Sequence, residues 1–309
     1  MDELLISLVI CTMGREAETA RCIRSIIEQN YSRIQVVVVD QSPDNRMVPY
    51  IEELRRVASA EHVRCSRLGA AAARNFGMRH TVGEVVTFPD DDSWYTEGVL
   101  SYVNDLLTQD PSLDGVTGRT VQEDSSQGNG RFATAAGWVT RHNVWTTSIE
   151  FTIFLRRTVV LRVGDFDELI GTGAPTRLQA GEGTDYIIRC IGLGHRIWYS
   201  PDLKVGHPRP RLDARRVKKF CQYGLGMGYV ARTHRLPFFR ETAALLYRPF
   251  GGVIISLCKG NVSAASVHAA TGIGRSWGYL RGRSLRRPVS GADALSGSVE
   301  VASSTPPRS

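Results

Sequence analysis

Val85-Val86-Thr87-Phe88-Pro89-Asp90-Asp91-Asp92 (VVTFPDDD) is an apolar run that stops at three consecutive carboxylates. A short apolar stretch bounded by Pro and acidic residues reads as a strand buried on both faces, the form strands take in parallel sheets. Its carboxylates then stand at the C-terminal mouth of the strand, where open α/β sheets bind ligands. Adjacent carboxylates repel one another, and a cation among them relieves the cost of ionising all three. Oxygen ligands of this kind suit Mg²⁺ or Mn²⁺, with the remaining positions left to water and to a ligand's phosphates. A solvated turn, or a cap for the helix that follows near Thr96, is the competing reading of the triplet.

The same device occurs upstream. Leu5 to Cys11 is a β-prone run ending in Thr12-Met13-Gly14-Arg15 and followed by a helical pattern with Ile23, Ile26 and Ile27 on one face. Gln35 to Asp40 (QVVVVD) again ends in a carboxylate, before the turn-forming Gln41-Ser42-Pro43-Asp44-Asn45. Met47 to Ala58 reads as a helix, His62 to Ser66 as a strand, and Ala70 to Thr81 as a small-residue helix carrying Arg74 and Asn75. Strands alternating with helices at this spacing predict an α/β fold with a mainly parallel central sheet flanked by helices. Further on, helix is expected over Glu97 to Gln109 and Thr184 to Leu193, and strand over Gly115 to Gln122, Phe151 to Leu155 and His195 to Ser200. Glu123 to Arg131 has loop composition.

Beyond Pro201 the character changes. Leu212 to His234 and Phe239 to Cys258 read as helices, the second interrupted at Arg248-Pro249 and Gly251-Gly252 and so unsuited to spanning a bilayer. The expected organisation is an α/β domain over 1–207, a C-terminal helical extension over 208–283, and a Ser/Gly/Pro/Ala-rich disordered tail over 284–309. With 309 residues, 42% of them hydrophobic, the chain can bury a large core. Its start, MDELLISLVICTMGR, is acidic with a short apolar stretch, unlike a signal peptide or a span. Six scattered cysteines with no CxxC pair point to reduced thiols and a cytoplasmic location.

The net charge of +7 has its basic excess between Lys204 and Lys219 and between Arg281 and Arg287. Such runs fit phosphates, an anionic membrane at the inner face of the cell, or a solvated face. Arg215, Arg216, Lys218 and Lys219 with the apolar pieces around Phe250 to Leu257 form the membrane candidate. Nucleic acid is not expected as a partner, because the basic residues lie beyond the motif-rich region and lack interleaved aromatics. The G-x-G-x-x-G of a dinucleotide-dependent dehydrogenase is absent after the first strand. That loop holds only Gly14 and Arg15, too little for a nucleotidyltransferase phosphate loop, and a phosphatase DxDxT would follow the first strand rather than the fourth.

Together SLVICTMGR, VVVVDQSPD, AAARNFGMRHTVGEVVTFPDDDSWY, RRTVVLRVGDFDE and GEGTDYIIRCIGLGHRIWYSP resemble, in order and spacing, the family 2 glycosyltransferases, bacterial enzymes with a GT-A fold, from about Ile6 to His207. The resemblance implies a nucleotide-sugar donor and a glycan or lipid-linked acceptor. It gives Thr12, Arg15 and Asp40 positions that hold nucleobase and ribose, Arg74 a place near the nucleotide, and Asp90 and Asp92 the outer positions of a DxD metal motif. Asp91 fills the variable middle place beside the donor, and His207 resembles a histidine that helps bind metal or diphosphate. The resemblance further implies inversion at the anomeric carbon, with a protein carboxylate as base. Where the family shows Glu-Asp, this chain has Glu182-Gly183, which leaves Asp185 and Glu182 as the candidates and a catalytically inactive, nucleotide-sugar-binding homologue as the alternative. Trp94 and Tyr95 are candidates for stacking on a sugar or for packing, Gly171-Thr172-Gly173 for an acceptor-side loop, and Asn75 for a helix cap.

Overall fold

Valines 36 to 39 show why the sheet forms. In the computed structural model, which describes residues 3–123, 126, 130–210 and 212–286, they lie in the strand Ile34–Asp40 (β2) with no exposed surface. Val36 and Val38 enter one apolar core and Val37 and Val39 a second, on the opposite face. Alternate residues of a strand point to opposite faces, so a continuous apolar run requires cover on both. That cover comes from the helices Ala17–Ile27 (α1), Val48–Arg55 (α2) and Ala70–Met78 (α3), which alternate with the strands Ile6–Thr12 (β1), β2, Ser59–Arg64 (β3) and Val85–Thr87 (β4). These four strands pair in parallel, with Ile6 opposite both Ile34 and Val85.

The rest of the sheet is mixed. Trp94–Tyr95 (β5) precedes the helix Val99–Gln109 (α4), then come Gly115–Val121 (β6), Gly137–Trp138 (β7), the helix Val144–Thr147 (α5) and Phe154–Arg156 (β8). The helices Arg157–Val163 (α6) and Glu182–Gly192 (α7) lead to the strand Ile197–Gly206 (β9). The strand order is β3-β2-β1-β4-β8-β6-β9-β5, with β7 on β9. β8 runs antiparallel to both β4 and β6, while β6 and β9 are parallel.

Several boundaries differ from expectation. The acidic strand ends at Thr87, because Pro89 has no N–H to give to a ladder, and Phe88-Pro89 carry the chain to Asp90, which forms an isolated bridge to Cys11. β9 does not stop at Pro201 but continues to Gly206, its register against β6 shifting between Thr117 and Arg119. A bulge of this kind accommodates the proline, whose carbonyl accepts from Arg119 Nε at 2.7 Å. The segment expected as strand from Phe151 begins instead as a 3-10 turn, Glu150–Thr152.

Beyond β9 lie three helices, Val217–Thr233 (α8), Ala243–Cys258 (α9) and Val262–Arg281 (α10), the last hidden in the sequence by its small residues. α9 runs through Arg248-Pro249 and Gly251-Gly252 unbroken. Pro249 deprives the Leu245 carbonyl of its helical donor, and Arg275 of α10 supplies one at 2.9 Å. α8 and α10 meet backbone to backbone: a Cβ on Gly228 would lie 2.0 Å from the Arg275 carbonyl oxygen, and one on Gly278 2.1 Å from that of Leu225. Leu225, Tyr229 and Val230 of α8 join the core that contains Tyr186 and Leu178, so the helical region and the sheet share apolar packing. Gly282–Arg286 form a 3-10 turn, so the tail expected from Ser284 is ordered to Arg286, and its remainder lies outside the described residues. Part of the Glu123 to Arg131 loop also lies outside them. The six cysteines are unpaired.

Substitution of Gly228 by Val should force the α8 and α10 backbones apart and cost about 1–3 kcal/mol of stability. Urea denaturation measures it, and an unchanged midpoint would refute this helix packing.

Candidate active site

Small residues put a guanidinium under the sheet mouth. A Cβ on Gly77 would meet Val9 Cγ1 at 2.4 Å and Val39 Cγ2 at 2.7 Å, so α3 lies close on β1 and β2 and carries Arg74 inward to 3% exposure. Arg74 donates to Asp90 Oδ1 at 2.7 Å and to Glu182 Oε1 at 3.1 Å. It joins the acidic strand end to the start of α7, where Gly181, at φ +101°, turns the chain into the helix. Asn75 does not cap α3. Its amide donates to the Phe166 carbonyl at 3.0 Å and accepts from the Phe166 N–H at 2.7 Å, clamping the turn after α6.

The acidic triplet splits in three directions. Asp90 faces Arg74. Asp91, 8% exposed, accepts from Thr12 Oγ1 at 3.0 Å and from Arg15 Nη1 at 2.7 Å. Burial pushes its carboxyl up to about 7 despite Arg15, and the neighbouring Asp92 and Asp90 add to the rise. Asp92 pairs with Arg15 at 2.8 Å and with His207 Nε2 at 3.1 Å. Burial works against its charge, yet His207 and Arg15 hold it below the usual carboxylate value. Burial likewise works against the His207 cation, and the bond to Asp92 outweighs it and raises the ring. The His207 ring stacks on Phe151 with centroids 4.8 Å apart and planes at 15°.

Asp90, Asp92 and His207 offer one ligand atom each within 4.8 Å of one another. Two carboxylates and an imidazole suit a divalent ion that keeps positions for further oxygen ligands. The surrounding charge agrees. Asp90, Asp91, Asp92, Glu150 and Glu182 face Arg15, Arg74 and His207, five acids against three cationic groups, and this deficit adds to the burial that raises the carboxyls of Asp91 and Glu150.

Asp40 lies apart from this cluster at the mouth of β2. Its side chain is fully buried and bonds the Ser42 N–H at 2.8 Å, His62 at 3.0 Å and Arg64 at 3.1 Å, so it fixes the loop beside β1. The two candidate bases diverge. Glu182 looks toward Arg74, with its side chain 4% exposed. Asp185 Oδ1 takes His234 at 2.7 Å and Oδ2 takes Arg189 at 2.9 Å, and these groups hold it below the usual carboxylate value although burial opposes them. Asp185 lines a cavity of about 700 Å³ with Arg189, His234, Tyr229 and Arg286, separate from the acidic triplet.

Trp94 and Tyr95 are packing residues: Arg21 sits 3.4 Å from the Trp94 ring centroid, and Tyr95 is buried against Phe154. Gly171 backs Glu182, since a Cβ there would lie 2.6 Å from Glu182 Cδ. Sequence reasoning missed Glu150, which lies within the charge field of Glu182, Asp90 and Arg74. Burial, then Glu182 and Asp90, raise its carboxyl to about 7. The available signal was a lone acid in the apolar stretch Ser148-Ile149-Glu150-Phe151-Thr152-Ile153-Phe154.

A mixed sheet of this topology with acidic residues at the mouth of its fourth strand is the GT-A fold. The chain belongs to glycosyl transferase family 2, whose profile matches residues 7–163. A mannosyltransferase from Pyrobaculum calidifontis, solved with GDP-Man and Mn²⁺, superposes with TM-score 0.65 at 17% identity over 91% of this chain and 88% of that one. Residues 1–349 of S. aureus TarS, solved with UDP-GlcNAc, superpose with TM-score 0.54 at 14% identity over 90% and 92%. Among curated relatives, an Escherichia coli UDP-Glc:alpha-D-GlcNAc-diphosphoundecaprenol beta-1,3-glucosyltransferase is 25% identical over 37% of this chain and 45% of its own length. An uncharacterized Haemophilus influenzae glycosyltransferase is 26% identical over 36% and 37%. The match therefore spans less than half the length of these two relatives. Glycosyltransferase AglE of Haloferax volcanii is 22% identical over 78% and 79%.

A divalent ion must displace the proton that Asp92 helps His207 to keep, so Mn²⁺ affinity should climb as pH rises above the ordinary histidine value of 6.5 and level off once the ring is neutral. Calorimetry from pH 6 to 9 checks it, with His207→Ala losing this dependence. Flat affinity would remove His207 from the ligand set.

Proposed function

We propose that the chain is a metal-dependent, inverting glycosyltransferase that moves a sugar from a nucleotide-sugar to a glycan or lipid-linked acceptor in bacterial surface polysaccharide or glycoconjugate synthesis. The convergence of Asp90, Asp92 and His207 within 4.8 Å, at the ligand-binding edge of a family 2 fold, carries this reading. Thr12, Arg15 and Asp40 shape the nucleoside side. Arg15 reaches the surface with its side chain 45% exposed, and Asp40 holds the turn after β2. Arg74 holds Asp90 in place at 2.7 Å, and Asp91 anchors Arg15. Mg²⁺ or Mn²⁺ held by Asp90, Asp92 and His207 would neutralise charge on the departing nucleoside diphosphate. A carboxylate takes the proton from the acceptor hydroxyl as its oxygen attacks the anomeric carbon from the opposite side. The solved neighbours' GDP-Man and UDP-GlcNAc make guanosine and uridine diphosphates the first donors to test.

The alternative, an inactive homologue that binds the donor without transfer, draws on Gly183 at the expected base position. Titration of UDP and GDP with and without Mn²⁺ should show binding that needs the metal, weakened more than about tenfold in Asp90→Ala and Asp92→Ala. Absence of metal-dependent binding to any nucleoside diphosphate would end the reading. Binding without turnover on a panel of donors would favour the alternative.

The C-terminal helices also support peripheral contact with an anionic membrane. No helix among the described residues is long and apolar enough to cross one. Yet α9 exposes Tyr247, Ile254 and Leu257 at 61%, 65% and 54%, and α10 exposes Trp277 and Leu280 at 52% and 72%. Arg215, Lys218 and Lys219 are exposed at the start of the same region. Apolar side chains with flanking cations are the composition of a surface that lies in a headgroup layer. The protein should float with phosphatidylglycerol vesicles and lose this with Ile254→Glu and Trp277→Glu, and recovery in the soluble fraction alone would refute the contact.

A further inference from the structure

Gly183 lies inside α7 with no positive φ, so its backbone does not call for glycine. Space does. A Cβ built there would meet Glu150 Cβ at 2.5 Å, Glu150 Cα at 3.1 Å and Glu150 Oε2 at 3.0 Å. The side chain of Glu150 thus fills the volume into which a residue at 183 would project. Its carboxylate oxygen stands beside the place where an acid at 183 would begin. Glu150 comes from the 3-10 turn before β8, whose next residue, Phe151, stacks under His207. It is partly exposed, and among the described residues its carboxylate has a backbone N–H but no ion pair and no hydrogen bond from another side chain. Glu182 and Asp185 differ on both counts, the first buried on Arg74 and the second held by His234 and Arg189.

We infer that Glu150 is the catalytic base of the transfer, occupying from a different element the space that an acid at position 183 would take. The inference rests on the transferase reading given above. The Glu150 carboxylate accepts the proton of the acceptor O–H, the acceptor oxygen bonds to the anomeric carbon, and the bond from that carbon to the diphosphate oxygen breaks, its electron pair leaving with the nucleoside diphosphate. Burial raises the proton affinity of Glu150 most, the facing Glu182 and Asp90 add to it, and Arg74 lowers it. A carboxylate so placed is basic enough to take a proton near neutral pH.

The test measures metal-dependent hydrolysis of UDP-glucose, UDP-GlcNAc and GDP-mannose in Mn²⁺, beside calorimetric binding of UDP and GDP. Glu150→Gln keeps shape and removes the base. It should slow turnover about 100-fold or more, leave diphosphate binding within about twofold, and abolish the acid limb of the kcat/KM pH profile. Because the contact that closes position 183 is with the Cβ of residue 150, the compensating variant is Glu150→Gly with Gly183→Asp. It should recover at least tenfold over Glu150→Gly alone. Turnover of Glu150→Gln within threefold of the parent overturns the assignment. So does a parent that binds diphosphate yet hydrolyses no donor while the double variant does. If the parent binds no diphosphate, the transferase reading itself falls and takes the base with it.

Discussion

Arg74 is the charge on which the site depends. Asp90 arrives from the fourth strand and Glu182 from the first turn of α7, and without the guanidinium between them buried Glu182 would face the charge of half-buried Asp90 unpaired. Removing one partner of a buried ion pair typically costs 3–5 kcal/mol, far more than an exposed pair returns. The arrangement therefore constrains its surroundings. α3 must lie near enough to the sheet to deliver Arg74, which is why the helix reads AAAARNFGM and why Gly77 rests on Val9 and Val39. The loop behind Glu182 must come close too, and Gly171 does so.

The electrostatics around Arg74 divide into a satisfied side and an unsatisfied one. On the satisfied side, Asp92 shares Arg15 and His207, and both members of the Asp92–His207 pair favour their charged forms. On the other, burial raises Asp91 and Glu150 each to about 7, helped in the first by two neighbouring aspartates and in the second by Glu182 and Asp90. Protons answer a shortage of positive charge as a cation would. A divalent ion at Asp90 and Asp92 would lower the proton affinity of both carboxyls together, so metal binding and readiness of the base are coupled through one field.

The sequence made the first half of the sheet readable because apolar runs ending in acids obey strand periodicity locally. β1, β2 and the acidic strand end follow from residues that sit next to one another in the chain. What escaped depends on contacts distant in sequence. Pro201 marks a strand end in isolation, but a bulge opposite Gly118 lets β9 continue past it. Pro249 and the glycines near it predict a broken helix, and only Arg275, from a helix the small residues concealed, explains why α9 holds. The site shows the same limit. Asp90, Asp92 and His207 carry motif spacing and come together, whereas the engagement of Asp185 by His234 depends on how α8 packs against α7.

Glu150 and Gly183 show what motif reading leaves out. A motif records which residue type occupies a chain position, but proton transfer depends on where an oxygen atom stands. The volume beside Glu182 holds one side chain, supplied either from α7 or from the turn before β8, and the 2.5 Å approach between Glu150 and a Cβ at 183 makes the two mutually exclusive. With Gly183 in the helix, the acid comes from the turn. Glycine at an expected acidic position is therefore not by itself a sign of lost chemistry. It is equally the space that a carboxylate from another element needs.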